Sequence, residues 1–581
     1  MYYTIPRRTR RLHLVSELKE TRRQVEPILR DISDLIAPFR YKQDQADYTN
    51  PQRRTSKIYN SLGTKCLKTL QSGLMTCASD PTSEWVTLTT KDPDRAEYGP
   101  HRRWLDDVGF LILQMIGDSD CYRNLPVGYG NNAWAGFFAM GLEENFSPTS
   151  RSPLSTRLYD TGRFWFAEDD MGNPNVFYEE CRATVRQLYL RFGEDANYSS
   201  VVKTYAEKGE WEQWVDVAHL IEPNDDYEPG SPIVKRKRFS DCWYEIGQTG
   251  GKLSYESKYL ERGDYLYEGG FDAFPVLIGK WSSVKGEVYP AEFPGSECIS
   301  DNKSLQIGEK RIWQYVEKLV NPHWIVPAGL KGELDGGWVP GQTSYVDEKD
   351  AGKSIRPAHL VDPAALGPMR ENMQHVEQRI MDALHYPTFA TFDSLPDKER
   401  TATEILERKS EKLLKLVDMY TNLQIGVLRP LVDYCYALLA RNNMLPPVPP
   451  DLMGHELEYR FNGVLSQAQK MNRAQPIRSM LAVVSELVKA QGAAGVHPDV
   501  LDKFNTDQAI DEIGTDWGIP ASIIRSDEEV AAIRGQRAQA QAQQQKLAAM
   551  QQVSEMAKNL GQAPLSGPDG EDNALGALAK S

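Results

Sequence analysis

Ala351-Gly-Lys-Ser354 spells the end of a phosphate-binding loop. Such a loop cradles phosphates with backbone N–H groups, while its Lys and Ser reach the terminal phosphates and a magnesium ion. The pattern demands a glycine five residues before Gly352, where this chain has Asp347. A carboxylate there would repel phosphate, and no buried apolar strand precedes it, so no nucleotide site is expected. The nine histidines form no His-Glu-x-x-His and no pair with zinc-ligand spacing, and Gly-x-Ser-x-Gly is absent. His375 and His385 read as polar surface residues. The pairs Asp106-Asp107 and Asp169-Asp170 have the side chains for acid–base work, but a solvated face or a turn accounts for them. Cys66, Cys77, Cys121, Cys181, Cys242, Cys298 and Cys435 lie far apart with no Cys-x-x-Cys, as reduced and mostly buried cytosolic thiols do. The expectation is a protein with no catalytic residue, no cofactor and no metal.

Charge and aromatic placement bear on partners instead. The formal net charge of −14 argues against gripping nucleic acid through phosphate neutralisation. It also serves solubility in the ordinary way. Arg7, Arg8, Arg10 and Arg11, with Arg22 and Arg23, form a basic cluster that fits DNA, another protein or plain solvent. Trp324, Trp338 and Tyr345, set among glycines, read as interface anchors. No run of eighteen apolar residues exists, so no membrane span is expected. The basic N-terminus has no apolar stretch behind it, so no secretory signal is expected either.

A chain of 581 residues holds several domains. Helical spacing predicts one amphipathic helix over 12–40 and others at about 57–78, 101–117 and 131–142. Aromatic runs flank Gly172-Asn-Pro174 and predict a β-hairpin over 163–178, followed by a short helix from Glu180 to Phe192. Residues 214–281 alternate in short β-like runs broken by Gly250-Gly251 and Gly269-Gly270, which makes the middle of the chain α+β. Helices at 300–319 and 369–384 bracket a Gly/Pro-rich stretch. A polar loop, His385 to Arg400, then runs into a helix whose Thr401 and Glu404 match a capping box. That helix continues to Arg429, and Pro430 should kink it. Leu445-Pro-Pro-Val-Pro-Pro450 is a stiff spacer. Residues 464–530 read as helical, and the Ala/Gln-rich end favours helix with too few apolar residues to fold alone.

Four segments occur in a telling order. They are Tyr59-Asn-Ser-Leu-Gly-Thr-Lys-Cys-Leu-Lys-Thr-Leu-Gln-Ser-Gly-Leu-Met75, Pro294-Gly-Ser with its helix closing at Val320-Asn-Pro322, the His385–Arg400 loop with Thr401-Ala-Thr-Glu404, and the Gln-rich C-terminus. Together, over residues 20 to 530, they resemble the portal (head-to-tail connector) proteins of short-tailed bacteriophages, the podovirus, T7-like type.

The resemblance implies an α+β portal-protein fold with a mainly helical wing, stem and crown plus a small β-containing wing and clip. It divides the chain into a wing (1–299, β-rich at about 158–290), a first stem helix (300–320), a clip (321–362), a second stem helix (363–384) and a tunnel loop (385–400). A long kinked wing helix with its linker (401–460), a crown (461–534) and a C-terminal tail (535–581), barrel or disordered, follow. It implies a ring of about twelve chains that closes on itself around a DNA channel at one capsid vertex. Asp393, Asp397, Lys398, Glu399 and Arg400 would be the tunnel-loop residues that meet DNA, and Trp324, Trp338 and Tyr345 would face partners at the clip. The implied partners are double-stranded DNA, the major capsid protein, a scaffold, the terminase large subunit and tail adaptor proteins, without a membrane. The location is the virion, after assembly in host cytoplasm. The alternatives are an enzyme acting on polymers through its aromatic-rich middle, which would be a monomer with a carboxylate-lined cleft, and a head–tail adaptor or internal virion protein.

Overall fold

The computed structural model describes residues 7–43, 55–92, 99–246, 265–320, 324–325, 356–357, 364, 366–390, 414–463, 480, 483–484, 486 and 527–562. They divide into two compact units. The larger comprises Met1–Leu88, Asp107–Pro447 and Tyr459–Val483.

It opens with α1 (Arg7–Arg23) and α2 (Glu26–Ile36), not with a single helix over 12–40. Pro27 explains the break: it lacks an N–H for the carbonyl four residues back, yet fits the first turn of a new helix. Helix α3 (Leu62–Ala78), strand β1 (Val86–Thr90), α4 (Gly99–Asp118) and α5 (Cys121–Ala135) follow. The helix expected over 131–142 is instead the end of α5 and strand β2 (Phe137–Glu144). Gly136 stops α5 with a left-handed φ of 84°, and its N–H caps the Asn132 carbonyl. The apolar run from Phe137 to Leu142 is then buried on both faces, which periodicity alone cannot tell from a buried helix.

Strands β3 (Leu154–Leu158), β4 (Phe164–Glu168) and β5 (Pro174–Thr184) come next. The β4–β5 hairpin is the predicted one. Asp169 builds its turn, accepting from the backbone of Met171 (2.9 Å) and Asn173 (2.8 Å), and these bonds hold its carboxyl below the usual range. Helix α6 (Val185–Phe192) begins five residues later than expected, because Thr184 ends β5 and caps the helix. Its hydroxyl accepts from Gln187 N, and Gln187 Oε1 answers to Thr184 N at 2.9 Å.

After α7 (Ser200–Glu207), strands β6 (Trp214–Pro223), β7 (Phe239–Glu245) and β8 (Tyr267–Phe271) complete an antiparallel five-stranded sheet in the order β4-β5-β6-β7-β8. Its two faces alternate as a strand must. Tyr178, Ala218, Leu220 and Tyr244 pack with Val15 and Leu18 of α1, while Val217 and Trp243 on the other face pack with Leu188 of α6 and Val202 of α7. Strand β9 (Val276–Lys280) closes a separate sheet in the order β3-β2-β9.

Then come α8 (Pro294–Val320), β10 (Trp324–Ile325), β11 (Arg356–Pro357), α9 (Leu366–Ala383) and α10 (Tyr386–Phe389). The capping box at Thr401 lies outside the described residues. Where a kink was expected near Pro430, the helical ladder widens. Helix α11 (Val417–Leu423) passes through a π-helical turn, Gln424–Leu428, into α12 (Arg429–Arg441). Pro430 leaves the Gly426 carbonyl without its α-helical donor, and the wider turn relieves the ladder there. The same turn lies against β9: a Cβ at Gly426 would sit 2.5 Å from the Ile278 carbonyl oxygen. Gly426→Ala is therefore expected to cost about 1–3 kcal/mol, since backbone must yield to it. Thermal unfolding checks this. Val417–Arg441 is long and apolar enough to cross a membrane by composition, but Leu423, Val427, Leu428, Leu431, Val432, Cys435 and Leu438 are spent on the core.

The second unit comprises Thr89–Asp106, Val448–Glu458 and Val484–Ser581. Lys91 pairs with Glu456 within it. Strand β12 (Leu457–Phe461) ends in the larger unit, where Phe461 stacks on Trp85. The principal described element of the second unit is α13 (Asp527–Gln562), 36 residues and about 54 Å long, on which Leu547 and Met550 stand exposed. All seven cysteines are free and six are buried, with Cys66, Cys121 and Cys298 each pushed up to about 12 by burial.

Candidate functional site

Helices α8 and α9 flank residues 321–362 in the chain and precede residues 385–400, the expected clip and tunnel loop. Asp301 accepts from Arg379 at 2.7 Å, and Met373 packs over Gly308, so the two helices run antiparallel. Leu305 and Ile312 of α8 and Val376 and Ile380 of α9 are buried, while Ile307, Trp313 and Val320 are 61%, 65% and 75% exposed. A second clamp comes from the segment before α3. Gln306 Oε1 accepts from Tyr59 N (2.7 Å) and Asn60 N (2.9 Å), and its Nε2 donates to the Asn60 carbonyl at 2.8 Å. Asn60 Nδ2 in turn donates to Glu309 of α8 (3.2 Å) and Glu377 of α9 (3.0 Å). One asparagine thus ties both helices to the body. The sequence signal for it lay in the Tyr59–Met75 segment, but nothing there named its partners some 250 residues on.

Where α9 ends, the chain turns sharply at His385, whose φ of 52° is left-handed. Its ring stacks on Trp281 with centroids 6.2 Å apart and planes 16° from parallel. Burial, with Lys415 nearby, lowers its pKa. The surface reading of His385 is therefore corrected: the turn carries the imidazole onto a tryptophan. His375 is exposed, as expected. Four residues after His385, Phe389 is buried over Gly73 of α3, where a side chain at position 73 would collide with its ring. The described residues 385–390 are thus held at two points, His385 on Trp281 and Phe389 over Gly73.

Asp393, Asp397, Lys398, Glu399 and Arg400 lie outside the described residues, as do Trp338, Tyr345 and Ala351–Ser354. Of Trp324 only the backbone is described, in β10 opposite Pro357. Asp106, Asp107 and Asp170 are exposed, and Asp169 closes its hairpin, so the acidic pairs are surface and turn. Among the described residues no group of three or more His, Cys, Asp or Glu is placed to hold a metal.

Of the N-terminal basic cluster, the described Arg10, Arg11 and Arg22 are engaged with the protein. Arg11 is 1% exposed, bound to Glu222 at 2.6 Å and to Ser240 at 3.0 Å. Arg22 is fully buried and donates to the carbonyls of Phe164 and Thr161. Arg10 pairs with Asp225, and Arg23 stays exposed beside Glu20. Arginines of α1 pin that helix to the five-stranded sheet because the sheet supplies oxygens that need donors.

The profile of a family described as "Bacteriophage head to tail connecting protein" matches residues 8–524. The chain is 30% identical over 572 residues to "Portal protein" of Salmonella phage epsilon15, covering 98% of both chains. It is also 30% identical over 546 residues to "Probable portal protein" of Bordetella phage BPP-1, covering 94% of this chain and 93% of that one. Among solved structures, a chain of "Virion of native gene transfer agent (GTA) particle" aligns with 76% of this chain and 91% of its own at 9% identity and a TM-score of 0.35. A chain of "Neck of empty GTA particle computed with C6 symmetry" aligns with 78% and 94% at 8% identity and 0.36. Those two alignments play no part in the assignment, which rests on the profile and the near-full-length relatives: the chain belongs to the bacteriophage head-to-tail connecting protein family.

Proposed function

We propose that this chain is the portal protein of a short-tailed phage, a ring-shaped DNA channel at one capsid vertex through which the genome enters at packaging and leaves at infection. The observation that carries the reading is a near-full-length match, 30% identical over 572 residues, to a phage portal protein. The clamped α8–α9 pair supports it: α8 and α9 serve as the stem helices (300–320 and 363–384), with the clip (321–362) between them and the tunnel loop (385–400) after them. Residues 1–299 and 401–460 form the wing, 461–534 the crown, and 535–581 the C-terminal tail.

About twelve copies associate head to tail, and that heterologous contact closes on itself. Function is geometric, without catalysis or cofactor. The net charge of −14 keeps DNA from adhering, while Lys398 and Arg400, offset by Asp393, Asp397 and Glu399, touch phosphates only in passing. The clip, with Trp324, Trp338 and Tyr345, engages the terminase large subunit first and tail adaptors later. The wing meets the major capsid protein and scaffold. Assembly takes place in host cytoplasm and the product resides in the virion.

Lys398→Ala combined with Arg400→Ala is expected to leave ring assembly intact and to alter DNA packaging or retention. Packaged genome per particle is the measurement, and loss of the ring itself would remove the loop from its assigned place.

A further inference from the structure

Helices α8 and α9 cover one side of each other and leave the opposite sides bare. Gly308 of α8 lies under Met373 of α9, and Asp301 holds Arg379 at 2.7 Å. Successive residues of an α-helix are about 100° apart, so Lys310 and Trp313 stand about 140–160° round α8 from Gly308. Glu371 and Pro368 stand as far round α9 from Met373, on the other outer side of the pair. All four are exposed, Trp313 at 65%.

Antiparallel packing also sets heights along the pair. Two residues on from Gly308 and two back from Met373 reach Lys310 and Glu371; five on and five back reach Trp313 and Pro368. Each of these couples therefore sits at one level, on opposite outer sides. Lys310 has no ion pair among the described residues and reaches only over the Tyr59 ring, 5.6 Å from its centroid. The Glu371 carboxylate has no partner among them either. Beside Pro368, Gly367 has open space where a side chain would begin.

A chain with a cation on one outer side and an anion at the same height on the other cannot pair the two by itself. A second copy, rotated about an axis that runs along the helices, brings them together, because rotation leaves height unchanged. We propose that α8 of one subunit docks on α9 of the next, Lys310 against Glu371, with Trp313 received in the open space at Gly367 and Pro368. This contact rests on the ring reading above and names a surface that closes the ring.

Charge also selects the direction of the contact. A two-fold contact of α8 on α8 about such an axis would set Lys310 against its own copy, and α9 on α9 would set Glu371 against its own. Only the head-to-tail arrangement joins opposite charges. An exposed ion pair contributes little attraction, so Trp313 supplies the area and the charges exclude the wrong pairings.

Charge reversal in two separate full-length chains tests the contact. Lys310→Glu alone or Glu371→Lys alone sets like charges together at every joint, and the concentration needed for rings should rise about tenfold or more. Mixed in equal amounts, the two variants should restore rings of even number, since every joint between unlike chains carries opposite charges. Sedimentation reads both results, and circular dichroism should show each variant folded. Lys310→Cys combined with Glu371→Cys decides the matter should a reversal not fold: a short bismaleimide should link chains into a ladder of two, three and more. Rings from either single reversal at the wild-type concentration overturn the proposal. So do folded single variants that mixing fails to rescue, and so does a cross-link that stops at dimers. Wild type without rings would sink the ring reading first and this contact with it.

Discussion

Arg22→Met should cost about 3–5 kcal/mol of folding stability, the largest effect expected of any single change in the larger unit. The guanidinium is wholly buried, donates to two backbone carbonyls of the β4 region and lies 3.9 Å from Glu26. It is also ringed by aromatic faces: Phe137 at 5.5 Å, Trp165 at 5.6 Å, Phe164 at 5.7 Å and Tyr289 at 5.8 Å from their centroids. Methionine fills much of the volume but leaves the carbonyls of Phe164 and Thr161 without this donor, each worth about 1–3 kcal/mol when stranded. Because β2 contributes Phe137 and β4 contributes Phe164, the loss reaches both sheets. Arg22→Lys should fall between the two, keeping the charge but giving up the planar fork that serves two acceptors and stacks on rings. Denaturant unfolding separates the three proteins. An Arg22→Met chain within about 1 kcal/mol of wild type would refute this account of α1.

Trp313→Glu should abolish closed rings while leaving the subunit folded. A tryptophan 65% exposed on a long helix, on a stripe with Val320 at 75%, is the kind of side chain that a subunit contact buries. Its neighbour on α8, Ile312, is buried, and Gln306 is bonded to Tyr59 and Asn60, so the helix is anchored independently of Trp313. In a head-to-tail ring every subunit uses this surface, and a hot-spot loss of about 2 kcal/mol recurs at each contact around the circle. A carboxylate adds repulsion between chains that each already carry −14. Sedimentation and circular dichroism together decide the matter: folded monomers or short arcs are expected, whereas undiminished rings would move the interface away from α8.

Local chemistry was the legible part of this fold. The β4–β5 turn could be read because Gly172 and Pro174 each impose their own backbone preference; the Thr184 cap was just as local, yet the helix was expected from Glu180. The split between α1 and α2 was also written in Pro27, but the apolar stripe through Leu18, Val25 and Ile28 spoke more loudly for one helix. At 131–142 the run of buried apolar residues suited helix and strand alike, and only Gly136 marked the change. Burial of Arg11 and Arg22 was illegible for a different reason. Their partners, Glu222, Thr161 and Phe164, stand 139 to 211 residues away, and a basic run reads as solvated until its acceptors are known. The same holds for Asn60 and Gln306, whose clamp on α8 and α9 exists only in three dimensions. His385 shows the limit most simply: a left-handed turn brought a histidine assigned to the surface onto Trp281.

The central claim is that the molecule works by enclosing a hole, and direct imaging of the purified full-length protein tests it. Electron microscopy of single particles should reveal rings of about twelve subunits around an open centre, closed by the head-to-tail contact. A uniform population of solitary chains at the same concentration would contradict it.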